Sequence, residues 1–260
     1  MITSSQNLKI KLVRALLGRA KERREAGAFV AEGVRLVEEA EKRNWRFEIV
    51  LYDKSLSERG IALVERLESR QVEVEEVSES LMKTLSSTET PPGILAVLKI
   101  PSLPISNSPD FLLIPDQIRD PGNLGTLLRS AAAAGVQAVL LPPETTDAFA
   151  PKVVRSGMGA HFRLPVRSMT WEEIGRLSRS ANVQVYLADM GGTSCWESDL
   201  RQPLALIVGG EADGASEAAR RLADRQISIP MMGQVESLNA GVAGSVLMFE
   251  ILRQRQTALP

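Results

Sequence analysis

Leu204-Ala205-Leu206-Ile207-Val208-Gly209-Gly210-Glu211 is an unbroken apolar run that stops on two glycines and a carboxylate. Apolar residues without polar alternation describe a strand covered on both faces, as in a parallel sheet with helices above and below. Glycines at the strand end allow a tight turn into a helix, and they also let backbone approach a ligand closely. Both readings stand at this point.

The same alternation extends in both directions from this run. Upstream, 111–114 reads as a buried strand, 123–134 as a helix, 136–141 as a strand, 150–157 as a shorter helix, 162–166 as a strand, 171–180 as a helix and 183–188 as a strand. Downstream come a helix from Glu217, a strand at 226–229 and a last helix from about 237 to 254. Strands alternating with helices predict an α/β fold with a mostly parallel sheet. Residues 8–100 carry a shorter α/β pattern, with helices at 8–26, 33–43 and 57–70 and strands at 29–31, 46–52, 72–77 and 93–100. The Pro/Ser/Asn segment 101–109 has no periodicity and reads as a linker, so the expected domains are 1–105 and 106–260.

Composition narrows the function classes. With 44% hydrophobic and 24% charged residues, the chain fits a soluble globular protein. One cysteine, Cys195, excludes a disulfide within the chain and a cysteine metal cluster, and one histidine, His161, excludes a His-rich metal site. His161 reads as an ordinary surface or packing residue. The chain has no apolar run long enough to span a membrane, and its start lacks a signal-peptide core, so the expected place is the cytoplasm. A basic, acid-poor start is also the composition of an organellar transit peptide. The net charge of −1 does not demand a nucleic-acid partner. Charge is nevertheless uneven: Lys9, Lys11, Arg14, Arg19, Lys21, Arg23 and Arg24 face Glu22 alone on the first helix, either as a solvated face or as a phosphate-binding stripe.

Ligands of open parallel sheets bind at the carboxyl ends of strands, which singles out three loops. The first, Asp116-Gln117-Ile118-Arg119-Asp120-Pro121-Gly122-Asn123-Leu124-Gly125, contains a Pro-Gly turn and Asn123 as the expected helix N-cap; Arg129 follows on the helix. An arginine here suits a bidentate phosphate contact, and a solvated surface role is the alternative. The second is Gly209-Gly210-Glu211, where the carboxylate suits ribose hydroxyls or a cation. The third runs from Ile229-Pro230-Met231 to Ser237-Leu238-Asn239, at the entrance of a helix rich in small residues, Ala240, Gly241, Ala243 and Gly244. Ser237 can serve as its N-cap, and the small residues invite close packing by the sheet or by a second subunit.

Taken in order, Asn123-x-Gly125-x-x-x-Arg129, Gly209-Gly210-Glu211 and Ile229-Pro230-Met231 through Ser237-Leu238-Asn239 resemble the SpoU (TrmH) family of RNA 2′-O-ribose methyltransferases, within the SPOUT superfamily. The stretch 152–160 and the strand leading to Pro165-Val166 are similar to that family too. Gly27-Ala28-Phe29-Val30-Ala31-Glu32-Gly33 and Gly93-Ile94-Leu95-Ala96-Val97 resemble the L30e-like substrate-binding domain that many members carry. The resemblance implies a C-terminal domain with a trefoil knot, a homodimer, S-adenosylmethionine as cofactor, no metal, and RNA as substrate, with large-subunit ribosomal RNA preferred over tRNA.

By the same resemblance, Arg129, Asn123, Glu211, Ser237 and Asn239 are the catalytic candidates. Ala188, Gly209, Gly210, Glu211, Ile229, Pro230, Met231, Ser237, Leu238 and Asn239 would hold the cofactor. Lys9, Lys11, Arg14, Arg19, Arg23, Arg24, Arg129 and Arg155 would meet RNA. The family assigns to the position of Arg129 the activation of the ribose hydroxyl, yet an arginine is effectively always protonated. A phosphate clamp that also stabilises the developing alkoxide is the physically consistent role. Two other classes remain: a catalytically silent RNA-binding protein of this fold, and a dinucleotide-dependent dehydrogenase, which the missing Gly-x-Gly-x-x-Gly disfavours.

Overall fold

The computed structural model describes residues 1–86, 88, 90–210, 214–233 and 237–257. The chain forms two compact units, Met1–Ser102 with Phe149–Phe162, and Leu103–Ala148 with Arg163–Pro260.

In the first unit, α1 (Leu8–Gly18) and α2 (Ala20–Ala26) replace the single helix expected over 8–26. Gly18, a poor helix former, ends α1, and Arg19 takes an extended conformation between the two. There follow β1 (Ala28–Glu32), α3 (Val34–Lys42), β2 (Phe47–Tyr52), α4 (Glu58–Ser69), β3 (Val74–Glu76), α5 (Glu79–Leu85) and β4 (Ile94–Lys99). The sheet has the order β1-β4-β2-β3, and β4 pairs antiparallel with both its neighbours. One face packs on α1 and α5 through Ile10, Val13, Leu16, Val30, Leu81 and Leu95. The other carries Phe29, Leu36, Leu63 and Ile94 together with Val154 and Phe162. The segment 149–162 therefore belongs to this unit by its contacts, beyond the linear boundary expected at residue 105. Phe149 packs on Phe29 with ring centroids 5.0 Å apart and the rings tilted, and His161 is a buried packing residue 5.5 Å from Phe149.

The second unit opens with β5 (Phe111–Pro115), α6 (Pro121–Ala134) and β6 (Ala138–Leu141). The helix Pro151–Ser156, α7, lies in the first unit; β7 (Val166–Ser168), α8 (Trp171–Ser180), β8 (Gln184–Ser194), β9 (Leu204–Val208), α9 (Glu217–Leu222), β10 (Arg225–Ser228) and α10 (Ala240–Thr257) complete the chain. Its six-stranded sheet, β10-β8-β9-β5-β6-β7, is parallel at every pairing. The strand expected at 162–166 is instead a 3₁₀ turn at Ala160–Phe162 followed by β7, because Pro165 lacks the N–H that a strand interior needs.

β9 is buried at every position, as the continuous apolar run requires. The last helix packs on α6: a Cβ at Gly244 would collide with Leu127, and one at Gly241 would lie 3.3 Å from Thr126. Ser130 and Ser245 share a hydrogen bond of 2.7 Å across the same contact. The small residues of α10 thus serve contact within the subunit. Among the described residues no helix is long and apolar enough to cross a membrane, and no group of His, Cys, Asp or Glu is arranged to hold a metal.

Candidate cofactor cleft and RNA-facing residues

Three parallel strands border one cleft of about 610 Å³, inside the roughly 300–1,000 Å³ range of small-molecule sites. Ala188 to Met190 come from β8, Gly209 and Gly210 follow β9, and Ile227 and Ser228 come from β10, with Ile229 just after it. The wall is completed by Ser237, Leu238 and Asn239 at the start of α10, with Ala240, Ala243 and Leu247 along it.

Glycine at 209–210 has a steric cause. Gln117 adopts a left-handed conformation at φ 52°, and a Cβ on Gly210 would stand 2.6 Å from the Gln117 carbonyl oxygen. A Cβ on Gly209 would meet the Ala215 backbone nitrogen at 2.7 Å. The tight-turn reading is therefore realised, and the same backbone lines the cleft. Below this turn Asp116 is fully buried, accepting a 2.6 Å bond from the Ser216 N–H, and burial raises its pKa.

Two helix starts meet in this unit. Asp120, not Asn123, caps α6: its carboxylate accepts from the Asn123 N–H at 2.8 Å, while Pro121 occupies the first helical position, where its missing N–H costs nothing. Asn239, not Ser237, caps α10: its side-chain oxygen accepts from the Val242 N–H at 3.2 Å. The two asparagines join directly, the Asn239 amide donating to the Asn123 oxygen at 3.0 Å. Arg129 is exposed on α6, six residues or about 9 Å along the axis from Asn123. Among the described residues its guanidinium makes no hydrogen bond or ion pair, and so it keeps its fork for a ligand.

Of the expected cofactor residues, Ala188, Gly209, Gly210, Ile229, Met231, Ser237, Leu238 and Asn239 line the cleft. Pro230 is not among the lining residues, and Glu211 lies outside the described residues. The cleft also contains Asp189, absent from the sequence-based set, although its place one residue past an apolar strand is a usable signal. The Gly191 N–H and the Arg220 guanidinium hold its carboxyl below the usual range. S-adenosylmethionine, the cofactor implied by the resemblance, suits these walls: Ile227, Ile229 and Leu247 are apolar surfaces for a purine, and Asp189, Ser237 and Asn239 offer polar contacts.

In the first unit the basic stripe is split by its own contacts. Lys11, Arg14, Arg19 and Arg24 are exposed, Arg14 reaching Thr84 at 3.1 Å. Lys9 is paired with Glu73 and Glu75. Arg23 is buried and donates to the Leu16 carbonyl at 2.6 Å, which makes it a strut between α1 and α2 and withdraws it from a phosphate. Arg155 pairs with Glu32 at 3.7 Å.

Residues 110–249 match the model of the SpoU rRNA Methylase family, and residues 7–96 match an MRM3-like substrate binding domain. The 23S rRNA (uridine(2479)-2′-O)-methyltransferase of Streptomyces viridochromogenes is 33% identical, over 97% of this chain and 92% of that protein. The 23S rRNA (guanosine(2553)-2′-O)-methyltransferase RlmP of Bacillus subtilis is 35% identical, over 96% and 98%. Among solved structures, an AdoMet-bound rRNA methyltransferase from Sinorhizobium meliloti superposes with a TM-score of 0.86 at 30% identity, covering 100% of this chain and 98% of the other.

Proposed function

The chain belongs to the SpoU rRNA methylase family, and from that premise we propose that it methylates a ribose 2′-hydroxyl of 23S-type ribosomal RNA with S-adenosylmethionine. The observation that carries the reading is the cleft at the strand ends, with Asn239 in its wall bonded to Asn123 at the head of the helix that presents Arg129. The fold is the SPOUT fold, whose family carries the trefoil knot.

S-adenosylmethionine supplies a methyl group already activated by its sulfonium. The protein has to align a 2′-oxygen with it and to help the hydroxyl lose its proton. Asn123 and Asn239 fix the two helix starts against each other, and Ser237 lines the cleft beside them. Arg129 clamps the phosphate next to the target nucleotide and stabilises the developing alkoxide; the proton leaves to solvent or to a phosphate oxygen. Glu211 completes the set as a polar group of the second loop. A ribose 2′-hydroxyl as acceptor restricts the reaction to RNA.

Recognition of that RNA falls to the first unit and its exposed Lys11, Arg14, Arg19 and Arg24, with Arg129 on the second. The protein works as a homodimer in the cytoplasm, where ribosomal RNA is found. Support for the dimer is the outer face of α10, which exposes Val242, Val246 and Phe249, apolar residues three and four apart on one stripe.

The test is Arg129→Ala assayed on 23S rRNA fragments and by calorimetric titration. Loss of methyl transfer by roughly a hundred-fold or more with S-adenosylmethionine affinity nearly unchanged is expected. Unchanged turnover would remove Arg129 from the reaction.

A further inference from the structure

We infer that Asp189 is the acceptor for the ribose hydroxyls of the cofactor's adenosine, carried by a built projection of β8 over the cleft; the inference rests on the S-adenosylmethionine reading above.

The projection is visible in the register of β8 against β10. Gln226 pairs with Leu187, but the next residue, Ile227, pairs with Thr193, so residues 188–192 leave the ladder together. Three hydrogen bonds fix their shape. The Asp189 Oδ1 accepts from the Gly191 N–H at 3.0 Å, the Ser228 hydroxyl donates to the Gly192 carbonyl at 2.8 Å, and the Arg220 guanidinium donates to Asp189 Oδ2 at 2.8 Å. Gly192 lies so close to β10 that a Cβ would stand 2.5 Å from the Ile227 nitrogen. A turn held this way keeps its carboxylate in one place in the wall.

An ionised carboxylate is acceptor-only and has about four lone-pair sites. Gly191 and Arg220 use one site on each oxygen, which leaves acceptor capacity on both. The cofactor can offer its ribose diol, its adenine amine or its ammonium. In the sheet β8 lies two strands from β5, whose following loop leads to Asn123, and two strand spacings amount to about 10 Å. Asp189 is therefore carried by a strand apart from the one that leads to Asn123 and Arg129, the proposed reacting side. The ammonium carries a neighbouring carboxylate that a fixed anion repels, whereas the diol presents two donors with no opposing charge. A carboxylate at a strand end accepting from ribose hydroxyls is also the arrangement by which other open parallel sheets hold a nucleoside.

Calorimetric titration of the full chain with three probes tests this: S-adenosylhomocysteine, its 2′,3′-dideoxy form, and 5′-methylthioadenosine. The unaltered protein should bind the dideoxy form ten-fold or more weakly than S-adenosylhomocysteine, since a hydrogen bond to a charged group disappears. Asp189→Asn should weaken S-adenosylhomocysteine and methylthioadenosine by a similar factor and leave the dideoxy form unchanged. Equal binding of the first two probes by the unaltered protein overturns the inference without relying on any variant. It is overturned as well if Asp189→Asn weakens the dideoxy form equally, or if it spares methylthioadenosine, which lacks the amino-acid end. Failure of the unaltered protein to bind either S-adenosylmethionine or S-adenosylhomocysteine would instead overturn the cofactor assignment itself.

Discussion

Replacing Asn239 by alanine removes at least two hydrogen bonds: the cap to the Val242 N–H at 3.2 Å and the amide bond to Asn123 at 3.0 Å. Loss of an N-cap costs about 1 kcal/mol, and a side-chain hydrogen bond contributes about 1 kcal/mol. Asn239 is exposed, so water recovers part of the second contribution, and Asn239→Ala should destabilise by about 1–2 kcal/mol. Two further variants separate the roles. Asn239→Asp keeps an acceptor for the cap and adds favourable negative charge at a helix start, but it can no longer donate to Asn123. Its stability should stay within about 0.5 kcal/mol of the parent. Asn123→Ala keeps the Asn239 cap and removes the link, which contributes about 0.5–1 kcal/mol. Urea unfolding gives the three stabilities, and transfer of labelled methyl to 23S rRNA fragments gives the activities. If the link positions the reacting ends of α6 and α10, all three variants lose activity, and Asn239→Asp does so without losing stability. An Asn239→Asp protein with parental stability and parental turnover would show that the amide link has no part in the reaction.

Other outcomes follow from single side chains. Asp116 is buried with a raised pKa, so between the unfolded value of about 3.9 and the native value the folded chain binds more protons and stability falls as pH rises. Asp116→Asn, which can still accept from Ser216, should abolish that fall in a series of urea midpoints from acid to neutral pH; an unchanged slope would acquit Asp116. Arg19→Ala or Arg24→Ala should reduce the slope of log affinity for RNA against log salt by about 0.7–0.9 for each phosphate that is no longer neutralised. Arg23→Ala should leave that slope alone and lower stability by about 1–3 kcal/mol, because the Leu16 carbonyl is deprived of its buried donor. Phe249→Glu, on the exposed stripe of α10, should turn a dimer into monomers in analytical ultracentrifugation; a dimer that survives would place the interface elsewhere.

The alternation of buried strands and helices is legible because it follows from one local property, apolar runs of strand length separated by amphipathic segments. β9 and α8 appear where the pattern puts them, the latter with a Thr170–Glu173 capping box. α5 escapes such a reading even though Ser78 caps it and Leu81, Met82 and Leu85 are helically spaced, since its seven residues are too few for a periodic signal. The helix starts are displaced for a different reason. Asn123, Ser237, Asp120 and Asn239 are all good caps by residue type, and only the N–H that each carbonyl or carboxylate meets decides among them. The assignment of 149–162 to the first unit depends on rings distant in sequence, Phe29 and Trp45 against Phe149 and Phe162, which no local pattern encodes. The strand expected at 183–188 ends one residue before Asp189, a usable signal, but its continuation past the projection to Ser194 depends on pairing with β10 that no local pattern encodes.

These differences bear on where specificity resides. The cleft is made largely of strand ends and backbone turns, whose demands are met by glycine, alanine and branched apolar residues and carry no information about an RNA base. The two named relatives match nearly the whole chain, yet one modifies a uridine and the other a guanosine of 23S rRNA. Among members that keep this cleft, a difference in target base has to arise from side chains outside it. Phosphate contacts set position and carry no sequence information, so the RNA contacts proposed for the exposed basic residues of α1 and α2 would set affinity rather than target. Unpaired bases are read by stacking and by hydrogen bonds to their edges, and it is the surfaces able to offer both that should differ among members sharing this cleft.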